Sequence, residues 1–399
     1  MDEASSPTRP DLTGVTVLQV IPELDTGGAE RTAVDIAAAL VAAGGRALIA
    51  SAGGRLVAEA EAAGVECISF PAATKNPARI IANAADLKRM AKSRNVALIH
   101  ARSRAPAWSA LIAARRAGLP LVTTYHGAYK RGGGLKNLYN SVMARGDAVI
   151  ANSHYTARLI RERHGIVAQR ISVIHRGSDL AELDPAAIAP DRLRSLRAAW
   201  GIAEGRRIVL LPARLTGWKG QEVLIDAAAE LVRGGDRDSD FVLAGDAQGR
   251  ESYRESLIAR MLRSGLGQRV RLVGHCADMP AAYALADLVV VPSTEPEAFG
   301  RTAVEAQAAG RPVIVSDLGA TPETVLAPPE VLPDKRTGWR VTPGNASGLA
   351  DAIAQGLALS PEARTALAQR AQAHVRAHFS LAAMTGATLE LYGRLLGRM

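Results

Sequence analysis

The chain has 399 residues, about two to three times the usual length of one domain, so we expect two domains. Apolar residues make up 48% and charged residues 22%, which is enough apolar material for packed cores and excludes general disorder. No apolar run approaches the roughly 18 residues that a membrane-spanning helix needs. The acidic, polar N-terminus is unlike a secretory signal, and Cys67 and Cys276 lie far apart. We therefore expect a cytoplasmic protein without a thiolate metal cluster.

The formal net charge is +9, and the basic surplus is concentrated in one segment. Residues 86–176 contain 17 Lys and Arg against 3 Asp and Glu. Such a charge imbalance indicates an anionic partner, namely a nucleic acid, an anionic membrane surface or a phosphorylated acceptor. The alternative is a face that only keeps the protein soluble. Aromatic residues make up only 4%, with no aromatic-rich basic motif, so we expect no nucleic-acid partner.

In the first half, β-branched runs alternate with segments of helical spacing, the pattern of βαβ units in a parallel sheet. The predicted strands are 15–21, 46–50, 65–70, 96–100, 121–125, 148–151 and 171–174. The predicted helices are 29–43, 77–93, 106–117 and 156–164. The pattern lapses over 176–205, which is rich in Gly and Pro, so the domain boundary is expected there.

The alternation resumes in the second half. The predicted strands are 208–211, 240–244, 270–273, 288–291 and 312–315, and the chain ends in helices over 347–379 (broken at Ser360-Pro361) and 381–396. The sequence predicts an α/β protein of two doubly wound, Rossmann-like domains facing a central cleft. We assign residues 14–185 to the first domain, 200–378 to the second and 379–399 to a C-terminal helix.

Several well-known site motifs are absent. The lack of G-x-G-x-x-G after a strand disfavours a dinucleotide-dependent oxidoreductase, and the lack of G-x-x-x-x-G-K-[ST] excludes a P-loop NTPase. Neither G-x-S-x-G nor H-E-x-x-H occurs. The candidates that remain are loops at the ends of predicted strands.

The first such loop is D-T-G-G-A-E-R at 25–31, which contains Gly27 and Gly28 and opens a helix. Paired glycines let the backbone approach an anion, and a helix N-terminus supplies free N–H groups. A tight turn that requires glycine would explain the same residues.

The second loop is R-L-T-G-W-K-G at 214–220, after the strand 208–211. Arg214 and Lys219 could clamp the two phosphates of a nucleoside diphosphate, Arg as a bidentate fork and Lys as a point charge. A solvated basic loop is the alternative reading.

The third loop is P-S-T-E-P-E-A-F-G at 292–300, which leads into a helix that carries Glu305. Carboxylates accept hydrogen bonds from sugar hydroxyls, so Glu297 and Glu305 could hold two sugars of one ligand, a hexose and a ribose. The amides of Gly300 and Arg301 add donors for phosphate.

Together these loops resemble the retaining family-4 glycosyltransferases of the GT-B fold, from about residue 14 onward. The pattern R-x-x-x-x-K-G is followed by E-x-F-G-x-x-x-x-E, and T-Y-H-G at 124–127 is similar to the family's strand-end histidine segment. Gly245-Asp246 and Gly274-His275 occupy places where the family wraps the nucleotide, and Pro322-Glu323 is similar to its G-x-x-E turn.

The resemblance implies a nucleotide-diphospho-sugar on the C-terminal domain and an acceptor on the N-terminal one. It implies that Arg214 and Lys219 neutralise the diphosphate and that Glu305 takes the ribose hydroxyls. It also implies that Glu297 meets the donor sugar. It places His126 near the anomeric centre, and Gly27 and Gly28 along the diphosphate or acceptor side. Phe299 and Gly300 would contribute backbone amides. Gly274 and His275 would contact the nucleotide. The C-terminal helix would pack back on the N-terminal domain.

The implied reaction is transfer of a hexose from a UDP- or GDP-linked donor, with retention, to a hydroxyl of a lipopolysaccharide core or glycolipid. The acceptor would be an anionic or lipid-linked saccharide, and the protein would contact an anionic membrane peripherally. We expect no metal and no cofactor. The chain departs from the family at the hinge, where Arg176 replaces a common Asn. The alternatives are a non-hydrolysing nucleotide-sugar epimerase of the same fold and a basic binding protein without activity.

Overall fold

The structure is a computed structural model that describes residues 10–25, 28–127 and 133–398. The chain forms two compact units, Met1–Gly177 with Leu381–Met399, and Ser178–Ser380. Each unit is built on one wholly parallel sheet flanked by helices, with seven strands in the first and six in the second. The predicted class, two doubly wound parallel sheets, is confirmed.

The first unit places helices between successive strands. Its strands are β1 (Thr16–Val20), β2 (Arg46–Ser51), β3 (Glu66–Ser69), β4 (Val96–Ala101), β5 (Leu121–Tyr125), β6 (Ala148–Ala151) and β7 (Ile171–Val173). Its first helices are α1 (Gly28–Ala42), α2 (Val57–Ala62), α3 (Pro77–Ser93), α4 (Arg104–Ala117), α5 (Gly134–Asn140) and α6 (His154–His164).

The strand order of this sheet is β3-β2-β1-β4-β5-β6-β7. Successive strand residues point to opposite faces, so Val17 joins one buried cluster while Leu18 and Val20 join the other. The order reverses between β1 and β4, and ligands of open α/β sheets bind beyond the carboxyl ends of strands at such a point. The residues that follow β1 and β4 therefore lie at the natural binding edge of the sheet.

The second unit repeats this plan. Its strands are β8 (Arg207–Pro212), β9 (Ser239–Ala244), β10 (Val270–Gly274), β11 (Leu288–Val291), β12 (Val313–Ser316) and β13 (Trp339–Val341), in the order β10-β9-β8-β11-β12-β13. Its helices are α7 (Pro190–Ala199), α8 (Gln221–Arg233), α9 (Glu251–Arg263), α10 (Met279–Leu285), α11 (Arg301–Ala308), α12 (Thr321–Thr324), α13 (Ala346–Leu357) and α14 (Pro361–Phe379). None of the helices in the described ranges is long and apolar enough to cross a membrane.

The last helix, α15 (Leu381–Leu396), belongs to the first unit, so the predicted return of the C-terminal helix is confirmed. Its side chains Met384, Leu391 and Tyr392 are buried in the cluster that α1 and one face of the sheet form. The Tyr392 hydroxyl lies 2.7 Å from Nδ1 of His100, whose Nε2 lies 2.7 Å from Thr124 Oγ1. A buried imidazole thus links the helix to β4 and β5.

In the second unit, a glycine fixes the loop after β8 against the end of β11. Gly220 has φ +75°, and a Cβ on it would lie 1.9 Å from the carbonyl oxygen of Pro292. The Thr294 amide donates to the Trp218 carbonyl at 2.8 Å in the same contact. The two loops therefore approach backbone to backbone, which only glycine permits.

The buried His100 makes the stability of the first unit depend on pH. Burial and the charge of Arg102 hold the pKa of His100 well below its usual value. The unfolded chain takes up the proton first as pH falls below about 6.5, so stability is present above that pH and is lost below it. Between about pH 6 and 5, the free energy of unfolding of His100→Gln should fall less steeply than that of wild type, by about 1.4 kcal/mol per pH unit. Urea unfolding at several pH values measures the two slopes. The exposed His275→Gln should leave the slope unchanged; equal slopes for all three proteins would contradict the prediction.

Gly220→Ala should destabilise the second unit by more than about 2 kcal/mol, because it adds a left-handed backbone cost to a direct clash with the Pro292 carbonyl. The matched control is Gly217→Ala in the same loop, since a Cβ there meets nothing within 4 Å. That variant should change the free energy of unfolding by no more than about 0.5 kcal/mol. Chemical denaturation of the two variants decides, and similar values would refute the proposed backbone contact.

Candidate functional site

The second unit brings Lys219 and Glu297 into direct contact. The Lys219 Nζ donates to Glu297 Oε1 at 2.5 Å, and the Ser293 hydroxyl donates to the same oxygen at 2.7 Å. The two side chains are largely buried, with 17% and 12% exposure. Because β8 and β11 are neighbours at the point where the strand order reverses, their following loops place this pair at the binding edge of the sheet.

Two neighbours help to orient Lys219 and Glu297. The Nζ lies 4.3 Å from the ring centroid of Trp218, close enough for a cation–π contact. The Gly319 backbone, with φ +73°, approaches so closely that a Cβ there would lie 2.5 Å from the Glu297 carbonyl oxygen, and the Ala320 amide donates to that oxygen at 2.9 Å. The loop after β12 therefore fixes the main chain of Glu297 from the other side.

Arg214 lies in the same loop as Lys219 but is exposed. Its guanidinium donates to Gln248 Oε1 at 3.2 Å, and its carbonyl accepts from Gln221 at 2.9 Å. No carboxylate in the part of the chain that the structure describes forms an ion pair with it. The main chain is thus anchored to α8, while the charge stays available to an anion.

Glu305 on α11 is held by Tyr283, which has no signal in the sequence, and by the side chain of Arg301, of which only the backbone amide was predicted to act. The Tyr283 hydroxyl donates to Oε2 at 2.8 Å, and Arg301 Nε donates to Oε1 at 2.6 Å. Burial and the adjoining carboxylate raise the pKa of Tyr283 well above its usual value, so its hydroxyl stays protonated and remains a donor. Arg301 could have been found from its i, i+4 spacing to Glu305. Tyr283 lies on α10, far along the chain, and gives no such signal.

The other residues named on this unit have separate positions. The Phe299 ring is buried in the core and packs edge-on against Phe379, with centroids 5.6 Å apart, so only its main chain can serve a ligand. Gly300 immediately precedes α11. Gly274 ends β10 and bridges to Gly245 after β9, and His275 beside it is exposed.

On the first unit, Gly27 lies outside the described residues, and Gly28 is the first residue of α1. His126 directly follows β5. Its Nδ1 lies 3.0 Å from a guanidinium nitrogen of Arg176, and its Nε2 has no partner within the described ranges. Burial, followed by the charges of Arg176 and Arg102, holds the pKa of His126 well below its usual value. The imidazole is therefore neutral; since Arg176 can only donate to Nδ1, the ring proton is assigned to Nε2.

The comparisons with known proteins cover both units. The family model described as Glycosyltransferase Family 4 matches residues 26–182, and the model described as Glycosyl transferases group 1 matches residues 194–374. Two separate models thus match the two halves of the chain.

The solved structures agree along the whole chain. A glycosyltransferase from Rickettsia africae ESF-5 is 32% identical, with a TM-score of 0.87, and the match covers 97% of this chain and 100% of that one. HepE of Anabaena, solved in complex with UDP and glucose, is 28% identical with a TM-score of 0.78, over 94% of this chain and 98% of that one.

A curated relative is the D-inositol 3-phosphate glycosyltransferase of Mycobacterium tuberculosis (strain ATCC 25618 / H37Rv). It is 33% identical over 262 residues, which are 64% of this chain and 50% of the relative. The chain therefore spans about half the length of the curated relatives that it matches. The two family models, the full-length similarity to the Rickettsia protein and the motif pattern lead to one conclusion: the chain has the GT-B fold and belongs to glycosyltransferase family 4.

Proposed function

We propose that this chain is a retaining glycosyltransferase that moves a hexose from a UDP-linked donor to a hydroxyl of an acceptor. The observation that carries the proposal is the contact between Lys219 and Glu297 at the edge of the second sheet, with Arg214 in the same loop. In a nucleotide sugar the diphosphate is bonded directly to the sugar. A lysine that binds the diphosphate and a glutamate that binds the sugar must therefore lie close together, as Lys219 and Glu297 do. The similarity to HepE, solved with UDP and glucose, favours UDP over GDP.

The geometry suggests how the donor is shared among these side chains. Glu297 uses Oε1 for Lys219 and Ser293, and no described residue donates to its Oε2, so Oε2 can accept a hydroxyl of the donor sugar. Lys219 has two further N–H donors for the diphosphate. Arg214 adds a second charge, and the amides of Gly300 and Arg301 at the start of α11 add donors. With this much positive charge supplied by the protein, the departing diphosphate is stabilised without a metal ion.

The nucleoside end of the donor is assigned to Glu305. Each of its oxygens already accepts one hydrogen bond and retains a second lone pair for a ribose hydroxyl. Tyr283 and Arg301 act as positioning residues, since they hold the carboxylate rather than the substrate. Gly274 and His275, at the end of β10, are assigned to the nucleotide as well.

In the transfer, the acceptor oxygen forms a bond to the anomeric carbon while the bond from that carbon to the diphosphate oxygen breaks. Attack from the face that the diphosphate leaves retains the configuration, and the departing phosphate oxygen takes the acceptor proton, so UDP leaves as the co-product. We assign to the neutral His126 a position near the anomeric centre, and to Gly27 and Gly28 the lining of the diphosphate or acceptor side. The anomeric coupling constant of the product, measured by NMR, tests retention.

Lys219→Met and Arg214→Met should each weaken UDP binding by about 10- to 100-fold, because each removes a charge-assisted hydrogen bond worth about 1.5 to 3 kcal/mol. The measurement is isothermal titration calorimetry in buffer that contains EDTA, which also tests independence from metal. Since Lys219→Met leaves Glu297 without its partner, a Lys219→Met/Glu297→Gln double variant separates ligand contact from lost stability.

The control is Arg263→Met, an exposed arginine in the last turn of α9. It should bind UDP as the wild-type protein does. UDP affinity that is equal in all the variants would contradict the proposed donor site, and UDP binding that requires a divalent ion would contradict the metal-free diphosphate site. Turnover of a UDP-hexose to its epimer without an acceptor would point to an epimerase instead.

The acceptor is proposed to be an anionic or lipid-linked saccharide, which the protein reaches by peripheral contact with an anionic membrane. The support is the excess of basic residues over 86–176. Helix α3 contributes exposed Lys88, Arg89 and Lys92 and an exposed Ile81. Basic side chains beside an exposed apolar residue are suited to an anionic lipid surface, where each cation contributes about 1 kcal/mol.

Lys88→Glu/Lys92→Glu should therefore reduce co-sedimentation with vesicles of phosphatidylcholine and phosphatidylglycerol at low salt by at least about tenfold. A matched charge reversal on the second unit, Arg254→Glu/Arg263→Glu on the exposed side of α9, should have little effect. Wild-type protein that binds neutral and anionic vesicles equally would contradict the membrane contact while leaving the donor site intact.

A further inference from the structure

A small cavity in the first unit is lined by a buried cation that has neither a hydrogen-bond partner nor an ion pair among the described residues. Arg102 directly follows β4 and is 1% exposed, and all three of its guanidinium nitrogens lack a hydrogen-bond partner in the described ranges. Glu30 and Asp35 of α1 act on it only through space. Burial lowers the pKa of Arg102 to about 10, so it keeps its charge at neutral pH.

An uncompensated buried guanidinium is strongly disfavoured, and buried charges in proteins are normally paired. Arg102 is not needed for packing alone, because an apolar side chain of similar length would fill the same space without that cost. The arrangement therefore points to a negatively charged group that completes the site when bound.

The walls of the cavity are suited to such a group. Arg102, His126 and Asn152 follow the neighbouring strands β4, β5 and β6, so their side chains converge at one edge of the sheet. The Nε2 of His126 and the Oδ1 of Asn152 also lack partners among the described residues. Arg176 lines the cavity too, and α1 and α15 close it with Thr32, Met384 and other side chains.

The size of the cavity limits what enters it. The cavity has a volume of about 20 Å³, room for roughly one water, so one oxygen of a carboxylate or phosphate can enter it while the rest of the ligand stays outside. The Arg102 guanidinium and the His126 N–H can both donate to such an oxygen, and a charge on that oxygen strengthens both hydrogen bonds.

We propose that Arg102, with His126, forms a buried pocket for one charged oxygen of a carboxylate or phosphate group of the acceptor. This assignment rests on the proposed function, because the second unit already supplies Arg214 and Lys219 for the diphosphate of the donor. The pocket defines the acceptor by an anionic substituent close to the hydroxyl that reacts. It also gives Arg176 a role, since its bond to Nδ1 keeps the His126 proton on Nε2, where it faces the anion.

The test compares wild-type protein with Arg102→Met in thermal unfolding, with inorganic phosphate or acetate added at constant ionic strength. Above the dissociation constant, each tenfold increase in anion should raise the wild-type Tm by about 3 to 6 °C more than that of Arg102→Met, because both proteins keep the Arg214 and Lys219 site. Without the anions, Arg102→Met should be at least as stable as wild type, because it lacks the unpaired charge. The order of stability should therefore reverse as phosphate or acetate is added, which a purely structural arginine would not produce.

Two further variants complete the design. Arg116→Met removes an exposed arginine from α4 of the same unit and should keep the wild-type response. Arg102→Lys keeps the charge but loses the fork, so it should show a weaker response, and it replaces Arg102→Met should that variant fail to fold. A wild-type Tm that responds to neither phosphate nor acetate overturns the pocket, as does an equal response in Arg102→Met or Arg102→Lys.

UDP titrations separate this inference from the proposed function. Arg102→Met should bind UDP within about threefold of wild type, while Lys219→Met should not. If Arg102→Met loses UDP affinity as strongly as Lys219→Met does, the pocket takes the donor diphosphate and the acceptor assignment is wrong. If wild-type protein fails to bind UDP but still responds to phosphate, the donor site fails and the anion pocket stands.

Discussion

The parallel pairing of the strands, with an order that reverses once in each sheet, is the constraint on which the chemistry of this chain depends. A parallel sheet puts all its strand ends at one edge, and the reversal leaves a gap between two neighbouring crossovers. In the second unit this gap lies between β8 and β11, and the loops that follow carry Lys219 and Glu297. In the first unit it lies between β1 and β4, and Arg102 is the first residue after β4.

Close backbone contacts between the loops fix the positions of the site side chains at this edge of the sheet. Gly220 brings the loop of Lys219 against Pro292, and Gly319 brings the loop after β12 against Glu297, so the acid is fixed from two sides. Two side chains that are 78 residues apart in the chain therefore meet at 2.5 Å. The exposed Arg214 has no ion pair among the described residues, and its guanidinium makes one hydrogen bond, to Gln248 at 3.2 Å. The site thus combines one fixed pair with one adaptable cation, a suitable arrangement for a diphosphate that must enter and leave.

Much of the fold could be predicted from the sequence because most strands and helices are determined by short local patterns of residues. The runs 121–125, 148–151 and 288–291 are strands with the predicted limits, and β-branched residues bounded by turn residues suffice to identify them. The strand β13 was missed because its three residues, Trp339–Val341, are too few to show a period, and the short helices α2 and α5 were missed for the same reason.

The residues of the candidate site were harder to predict from the sequence than the fold. Spacing identified Glu305 and Lys219, but Tyr283 and Ser293 enter only through contacts between distant segments. Arg102 was overlooked because a single arginine after a strand carries no motif, and its burial is a property of the folded unit.

The two units treat their cations in opposite ways, and this difference has a consequence for ligand binding. Lys219 is neutralised by Glu297 in the structure. The donor proposed to bind there would share the lysine charge with this acid, so its affinity would gain only the difference. Arg102 has no acid in contact among the described residues, so an anion that reaches it gains the full benefit of neutralising a buried charge. A site whose cation already has an acidic partner releases its product readily, because the ion pair re-forms when the product leaves. A site built on an unsatisfied charge selects strongly for anionic ligands, because a neutral ligand leaves the cost of the buried guanidinium in place. On this reasoning, the specificity of the proposed reaction for its acceptor lies in the first unit, and its turnover of the donor depends on the second.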